Sequence, residues 1–293
     1  MVMQPPIRIW LSLGLAGAAL ASYAPVGSDA RPVACPADGE LANLVAASDH
    51  ILIARMEFPP SLLADGGMPR YLELPLSVQA SIKGGQEHAA SLLYFPSSTP
   101  YYPSPDALTG LIGEPALLFL TQIDDDPPQL YFAGNSSGAL RPADRLTVKA
   151  VRQEVARQSG IADNWRPDPS HRYSREVSGL ISQLGVVEGY RQQQVFDSLV
   201  DLGSDAVPAI VSQMDDRRPL RTQAISLENR SPDAFEATRH YGPEQVVDGL
   251  DAVLQQITGA SFGTIVNGGS ERERAATIAG WRVYASDQGC PAV

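Results

Sequence analysis

The sequence predicts an α+β fold: a small β-barrel or sandwich of five or more short strands, followed by a small α-helical domain with a HEAT-like helix pair. Two observations carry this expectation. Between residues 44 and 148, apolar runs of strand length are cut by Pro- and Gly-rich turns. From Ser174 onward the apolar positions recur at helical spacing. The expected divisions are a leader over 1–21, a barrel domain over 35–150, a helix end and linker over 151–173, and a helical domain over 174–289.

The leader has three parts. Met1 to Arg8 carries one positive charge, Arg8, and Ile9 to Leu20 is apolar and uncharged. Ala19-Leu20-Ala21 is the small-x-small pattern that signal peptidase cleaves after. A 12-residue apolar run is short of the roughly 20 residues that a spanning helix needs, so a signal peptide is expected rather than a membrane anchor. Ser28-Asp29-Ala30 is a weaker cleavage site. A lipoprotein is not expected, because Pro32-Val33-Ala34 precedes Cys35 and Cys35 lies 14 residues beyond Ala21. The mature chain is therefore expected to be periplasmic or secreted, with no stable membrane insertion.

Along the barrel half, residues 31–43 read as polar and turn-rich up to Leu41. His50 to Phe58 reads as a strand stopped by Pro59-Pro60, since proline cannot donate to a ladder. After a turn at Asp65–Pro69, Leu72, Leu74, Leu76, Val78, Ala80 and Ile82 alternate, as in a half-buried strand ended by Lys83-Gly84-Gly85. Ser91 to Phe95 is a short strand closed by Pro96, and Thr99 to Thr109 reads as a loop. Pro115 to Leu120 is a central strand, Asp124 to Pro128 a turn, and Leu130 to Ala133 the returning strand.

Asp144 to Ser159 turns helical, with Val148, Val151 and Val155 on one face, and Pro167 and Pro169 mark the linker. Ser174 is the expected N-cap of the next helix, with Val177, Leu180, Ile181 and Leu184 as its stripe. Val195, Phe196, Leu199 and Val200 form another stripe, and Ser204 or Asp205 caps a helix carrying Val207, Ile210, Val211 and Met214. These two helices, joined by Gly203-Ser204, are expected to pack antiparallel. Residues 215–241 read as irregular. A helix starting at Pro243 and ending at Gly259 follows, and then one opened by the capping box Ser270-Glu271-Arg272-Glu273, with Trp281 and Tyr284 in the core.

The chain has 33 acidic and 22 basic residues, a formal net charge of −11, and removing Arg8 with the leader makes it −12. That balance disfavours nucleic acid and anionic membranes as partners and leaves a protein partner as the expectation. Only Cys35 and Cys290 are present. In an oxidising compartment they are expected to pair, tying the N-terminal segment to the C-terminal tail.

No sequence motif marks a catalytic centre. His50, His88, His171 and His240 lack ligand-type partners at metal-site spacing, so neither a metal nor a cofactor is expected. Asp124, Asp125 and Asp126 suit calcium by charge but read as a solvated hairpin tip. Asn267-Gly268-Gly269-Ser270 offers backbone N–H groups to an anion but is explained by the helix cap. Tyr101 and Tyr102, among Pro100, Pro103 and Pro105, form a possible contact surface with Tyr94, and Phe95 and Tyr131 line the same end.

Two local resemblances add to this reading. Cys35, Ser48-Asp49 before a strand ending Ala54-Arg55-Met56-Glu57, Ile82-Lys83-Gly84, and Leu117-Leu118-Phe119-Leu120 together resemble bacterial netrin/TIMP-like domains, over roughly 35–150. The resemblance implies an OB-like barrel. Animal inhibitors of that superfamily chelate a protease's zinc through an N-terminal cysteine in a Cys-x-Cys start. Here Cys35 is followed by Pro36-Ala37 and lies 14 residues past the cleavage site, which disfavours that mechanism. In the second half, Leu202 to Ile210 resembles the turn and second helix of a HEAT-type repeat. Thr258 to Gly263 and Glu271 to Trp281 resemble a segment accompanying such repeats in bacterial exported proteins. Together these features lead to an exported, non-catalytic binding or interaction protein. The alternatives are a hydrolase whose site is assembled from distant residues, such as His50 with a carboxylate, and a protease inhibitor.

Overall fold

Strand β1 (His50–Met56) holds the barrel together, because it pairs antiparallel on both sides, with β2 (Leu72–Lys83) and with β4 (Ala116–Asp125). β2 pairs antiparallel with β3 (Ser91–Tyr94), β3 runs parallel to β5 (Pro128–Phe132), and β5 returns antiparallel to β4. The order β1-β2-β3-β5-β4 thus closes on β1 as a five-stranded barrel, and the short β6 (Leu140–Pro142) is added to β4. The computed structural model describes residues 35–57, 71–85, 91–95, 102–125, 128–134, 136–229, 236–263 and 265–290. The leader, the Asp65–Pro69 turn, His88, Tyr101 and Asp126 lie outside the described residues.

Side-chain patterning explains the strands. β2 alternates buried Leu72, Leu74 and Leu76 with exposed Glu73, Pro75 and Ser77, the signature of one face in and one out. In β4, Leu117 to Leu120 are all fully buried. Alternation is lost there because one face lines the barrel and helix α1 (Gly39–Ala47) lies against the strand from outside.

α1 replaces the turn-rich segment expected up to Leu41. Asp38 caps it by accepting from the Leu41 N–H at 3.0 Å, and Leu41, Leu44 and Val45 face the barrel core. A second short helix, α2 (Pro105–Thr109), stands where a loop was expected; Ser104 caps it and Pro105 opens it. α3 (Arg145–Asn164) runs five residues past the predicted Ser159, because exposed Gly160 costs about 1 kcal/mol in a helix without stopping it.

The helical half departs from expectation in four places. α4 (Ser174–Ile181) takes Ser174 as its first residue, and that side chain donates to the Asp168 carbonyl instead of capping. α5 (Gly189–Asp201) and α6 (Val207–Val211), expected as a pair, each pack chiefly elsewhere: α5 on α7 (Val246–Thr258), α6 on α8 (Glu271–Asp287). Residues 215–241, expected to be irregular, contain the antiparallel strands β7 (Ile225–Glu228) and β8 (Thr238–Tyr241). The amide of Gln193 on α5 bonds both the N–H and the carbonyl of Ser226, which fixes that hairpin. α7 begins at Val246, not Pro243, because Asp248 folds back to accept from the Glu244 and Gln245 N–H groups.

α7 and α8 are joined by buried charge. Arg274 donates to both carboxylate oxygens of Asp248, at 2.8 and 3.0 Å, with both side chains nearly solvent-free. Asp251 accepts from Trp281 Nε1 at 2.7 Å and from Gln255 at 3.0 Å. Gly259 ends α7 in the left-handed conformation, as expected.

The barrel and the helices have separate apolar cores, but α1 serves both. Leu41, Leu44 and Val45 belong to the barrel core, whereas Ala46 belongs to the helical one. Arg157 on α3 binds Glu154 and both oxygens of Asp287 on α8. The Cys35–Cys290 disulfide joins the segment before α1 to the end of α8 across a sequence separation of 255. No helix among the described residues is long and apolar enough to cross a membrane.

Two stability predictions follow from these contacts. The double variant Cys35→Ala/Cys290→Ala should lose about 2–5 kcal/mol in urea denaturation, because a loop of that length is released in the unfolded chain. Hydrogen exchange should show α1 deprotected first; unchanged stability would refute the staple. Burial, the largest cause, raises the Asp251 carboxyl from 3.8 to about 7. Between those values the native state keeps a proton that the unfolded chain has released, so this group lowers stability as pH rises from about 4 to about 7. Urea titrations at pH 5 and pH 8 should show that Asp251→Asn removes this slope, at roughly 1.4 kcal/mol per pKa unit.

Candidate functional site

The register of the barrel brings three strand segments to one end, below the C-terminus of α1. His50 opens β1 opposite Leu120, Lys83 closes β2 opposite Ile51, and Gln122 lies two residues beyond Leu120 on β4. Ser48 and Asp49 make the turn from α1 into β1. The Ser48 hydroxyl donates to the Leu44 carbonyl at 2.7 Å, and the Asp49 N–H donates to the Leu120 carbonyl at 2.9 Å.

These residues form the floor of a cleft of about 620 Å³ between the barrel, α1, α3 and α8. Its walls are mostly small and apolar, with Val45 and Ala46 from α1, Val155 and Ala162 from α3, and Ala276 and Ala279 from α8, and α3 adds the polar Gln158 and Ser159. Asp163 and Arg272 stand exposed at its margin. The volume lies within the range of about 300–1,000 Å³ typical of small-molecule sites.

His50 is 7% exposed and bonds through Nε2 to the Gln122 amide oxygen at 3.1 Å. Its Nδ1 is buried without a hydrogen-bond partner. The Asp49 carboxylate accepts from the Thr121 hydroxyl and the Gln122 N–H, both at 2.9 Å. Lys83 Nζ donates at 2.8 Å to the Val45 carbonyl in the last turn of α1, which also accepts from the Ser48 N–H at 3.4 Å. Burial lowers the Lys83 amine from 10.5 to about 8, and the charge of Asp49 partly opposes that shift.

No nucleophile–base pair forms here. His50 meets an amide, not a carboxylate, and the nearby hydroxyls of Ser48 and Thr121 are turned to Leu44 and Asp49. A Ser–His contact does occur on the β7–β8 hairpin, where Ser226 Oγ lies 2.8 Å from His240 Nδ1. These are cross-strand neighbours on an exposed face, with no carboxylate bonded to His240 among the described residues. The ring of His171 meets the Tyr173 N–H at 3.4 Å. Among the described residues no three His, Cys, Asp or Glu side chains group as a metal site.

The expected aromatic surface is redistributed. Tyr94 is 1% exposed, its hydroxyl donates to the Pro103 carbonyl, and it belongs to the barrel core, so it is no contact residue. Tyr102 is partly buried and lines a second cleft of about 610 Å³, on the opposite flank of α1, with Tyr131, Phe132 and the Gly259–Gly263 loop. Phe95 stacks on Tyr131 with centroids 6.0 Å apart, and Tyr71 lies 6.3 Å from Phe95. The Asn267–Ser270 turn is filled from within: Asn267 accepts from the Gly242 N–H, and Glu273 takes the Ser270 N–H. Trp281 is fully buried, as expected.

In the sequence, Lys83 is visible only as the end of a strand, and His50 only as a histidine with no ligand-type partner at metal-site spacing. The one local signal was a lysine closing an alternating strand before Gly84-Gly85. Gly84 has φ +80°, and a Cβ there would lie 2.4 Å from His50 Nδ1. Gly84→Ala should therefore cost about 1–3 kcal/mol, read by thermal unfolding, through strain and displacement of His50. A neutral effect would show that the ring and the turn are not in contact. The chain matches no family model, no curated protein and no solved structure.

Proposed function

We propose that the protein is an exported, non-catalytic binding protein, with an OB-like barrel and a helical scaffold that together enclose its ligand. The cleft over His50 and Lys83 carries this reading. It is concave, walled by small apolar side chains from three helices, and floored by a few polar groups, which is how binding sites for small molecules are generally built. The Ser48 and Thr121 hydroxyls and the Asp49 carboxylate on the floor are engaged in holding the turn into β1, which favours binding over hydrolysis.

The export half of the proposal rests on the leader and on the disulfide. A bridge between the two ends of the chain persists in an oxidising compartment and not in a reducing cytosol. Both features together support a periplasmic or secreted placement. A protein partner remains compatible with the exposed Tyr71–Phe95 edge of the barrel, although the cleft is the better-formed site.

The test uses a neutral fluorescent probe, N-phenyl-1-naphthylamine. The folded protein should bind one equivalent with enhanced emission, and Ala279→Leu, which narrows the cleft, should weaken binding about tenfold or more, equivalent to at least about 1.4 kcal/mol. Absence of binding to the native protein, or equal binding by the variant, would overturn the cleft as the site.

A further inference from the structure

The chemistry of the cleft is asymmetric. One part of its floor carries a single buried-side cation, the ammonium of Lys83, which has one hydrogen bond, to the Val45 carbonyl, and no ion pair among the described residues. An ammonium has three donors, so two remain open. Away from the polar floor, the helix walls are mostly short apolar side chains, the alanines at 46, 162, 276 and 279 with Val155 and Val283, interrupted by Gln158 and Ser159 of α3. The charges at the margin, Asp163 and Arg272, are of opposite sign.

From this juxtaposition we infer that the cleft takes a small amphiphilic carboxylate, its head group on Lys83 and its hydrocarbon body along α3 and α8. This deepens the cleft reading above and rests on it. The nearby Asp49 charge only partly offsets the burial of the amine, and an incoming carboxylate would ion-pair with it directly. Asp49 does not take that place, since its carboxylate is held by Thr121 and the Gln122 N–H. The amine, lowered to about 8, is still mostly protonated at neutral pH. The His50–Gln122 pair adds polar edges beside the amine, and the His50 Nδ1 atom without a partner marks the floor as incompletely satisfied. The apolar walls exclude a bare inorganic anion as the preferred ligand, because nothing on it would replace water there.

Displacement of N-phenyl-1-naphthylamine from the purified, disulfide-bonded protein tests the inference. Octanoate should displace the probe at about tenfold or more lower concentration than 1-octanol, the size of preference expected of one charge-assisted hydrogen bond. Acetate, which has the head group alone, should be weaker than octanoate by about a hundredfold or more, at about 0.8 kcal/mol for each buried methylene. Lys83→Met should bring octanoate and octanol to within about twofold of each other, and Lys83→Arg should keep the preference. Should Lys83→Met fail to fold, the three ligands on the native protein decide alone. Equal displacement by octanoate and octanol, an unchanged ratio in Lys83→Met, or acetate as strong as octanoate would overturn the inference while the cleft itself stood. Failure of the probe to bind at all would remove the cleft and this inference together.

Discussion

Helix α1 is the constraint on which the rest of the structure depends. Nine residues long, it is too short to be stable alone, and it is held because both of its flanks are used. Leu41, Leu44 and Val45 close the barrel core against β4, while Ala46 and the neighbouring backbone meet α3 and α8. Gln158 of α3 donates to the Ala42 carbonyl, Lys83 of β2 donates to the Val45 carbonyl, and the disulfide fixes the chain just ahead of the helix. Both clefts lie along α1, one on each flank, so its position sets the shape of each.

The helical half supplies a rigid wall for that arrangement. α7 is buried almost all round, and a helix so enclosed needs its polar groups satisfied internally. Asp248 does this at the N-terminus, binding two backbone N–H groups and Arg274 at once. Asp251 receives Trp281 Nε1 one turn further on. These contacts pin α8 to α7, and the other side of α8 then meets α3 through Asp287 and Arg157. Ala276 and Ala279 on α8 face the cleft as a consequence of this docking, which is why their small size leaves open volume rather than a packed seam.

Most regular elements were legible where a period ran long enough. The alternation from Leu72 to Ile82 became β2, the stripe Val195-Phe196-Leu199-Val200 became α5, and Ser270 with Glu273 formed the reciprocal cap. The misses were short or governed by distant contacts. α1 and α2 span too few turns for a stripe to stand out. β7 and β8 have four residues each and are set by pairing with each other and by Gln193 of α5. Tyr94 looked like a loop-flanking contact residue because a sequence does not reveal that its hydroxyl finds the Pro103 carbonyl inside the barrel.

By itself, the sequence determined the α+β class, the approximate place where strands give way to helices, and the two cysteines available to pair, because local periodicity, turn residues and cysteine count are written in order along the chain. Tertiary structure alone decided that β1 pairs on both sides to close the barrel, that α1 is shared between two cores, and that His50, Lys83 and Gln122 meet. Those three residues come from separate strands, and only the barrel's register and closure bring such positions to one end. The cleft above them exists because short side chains on α3 and α8 face each other across a gap, a relation that no linear pattern encodes.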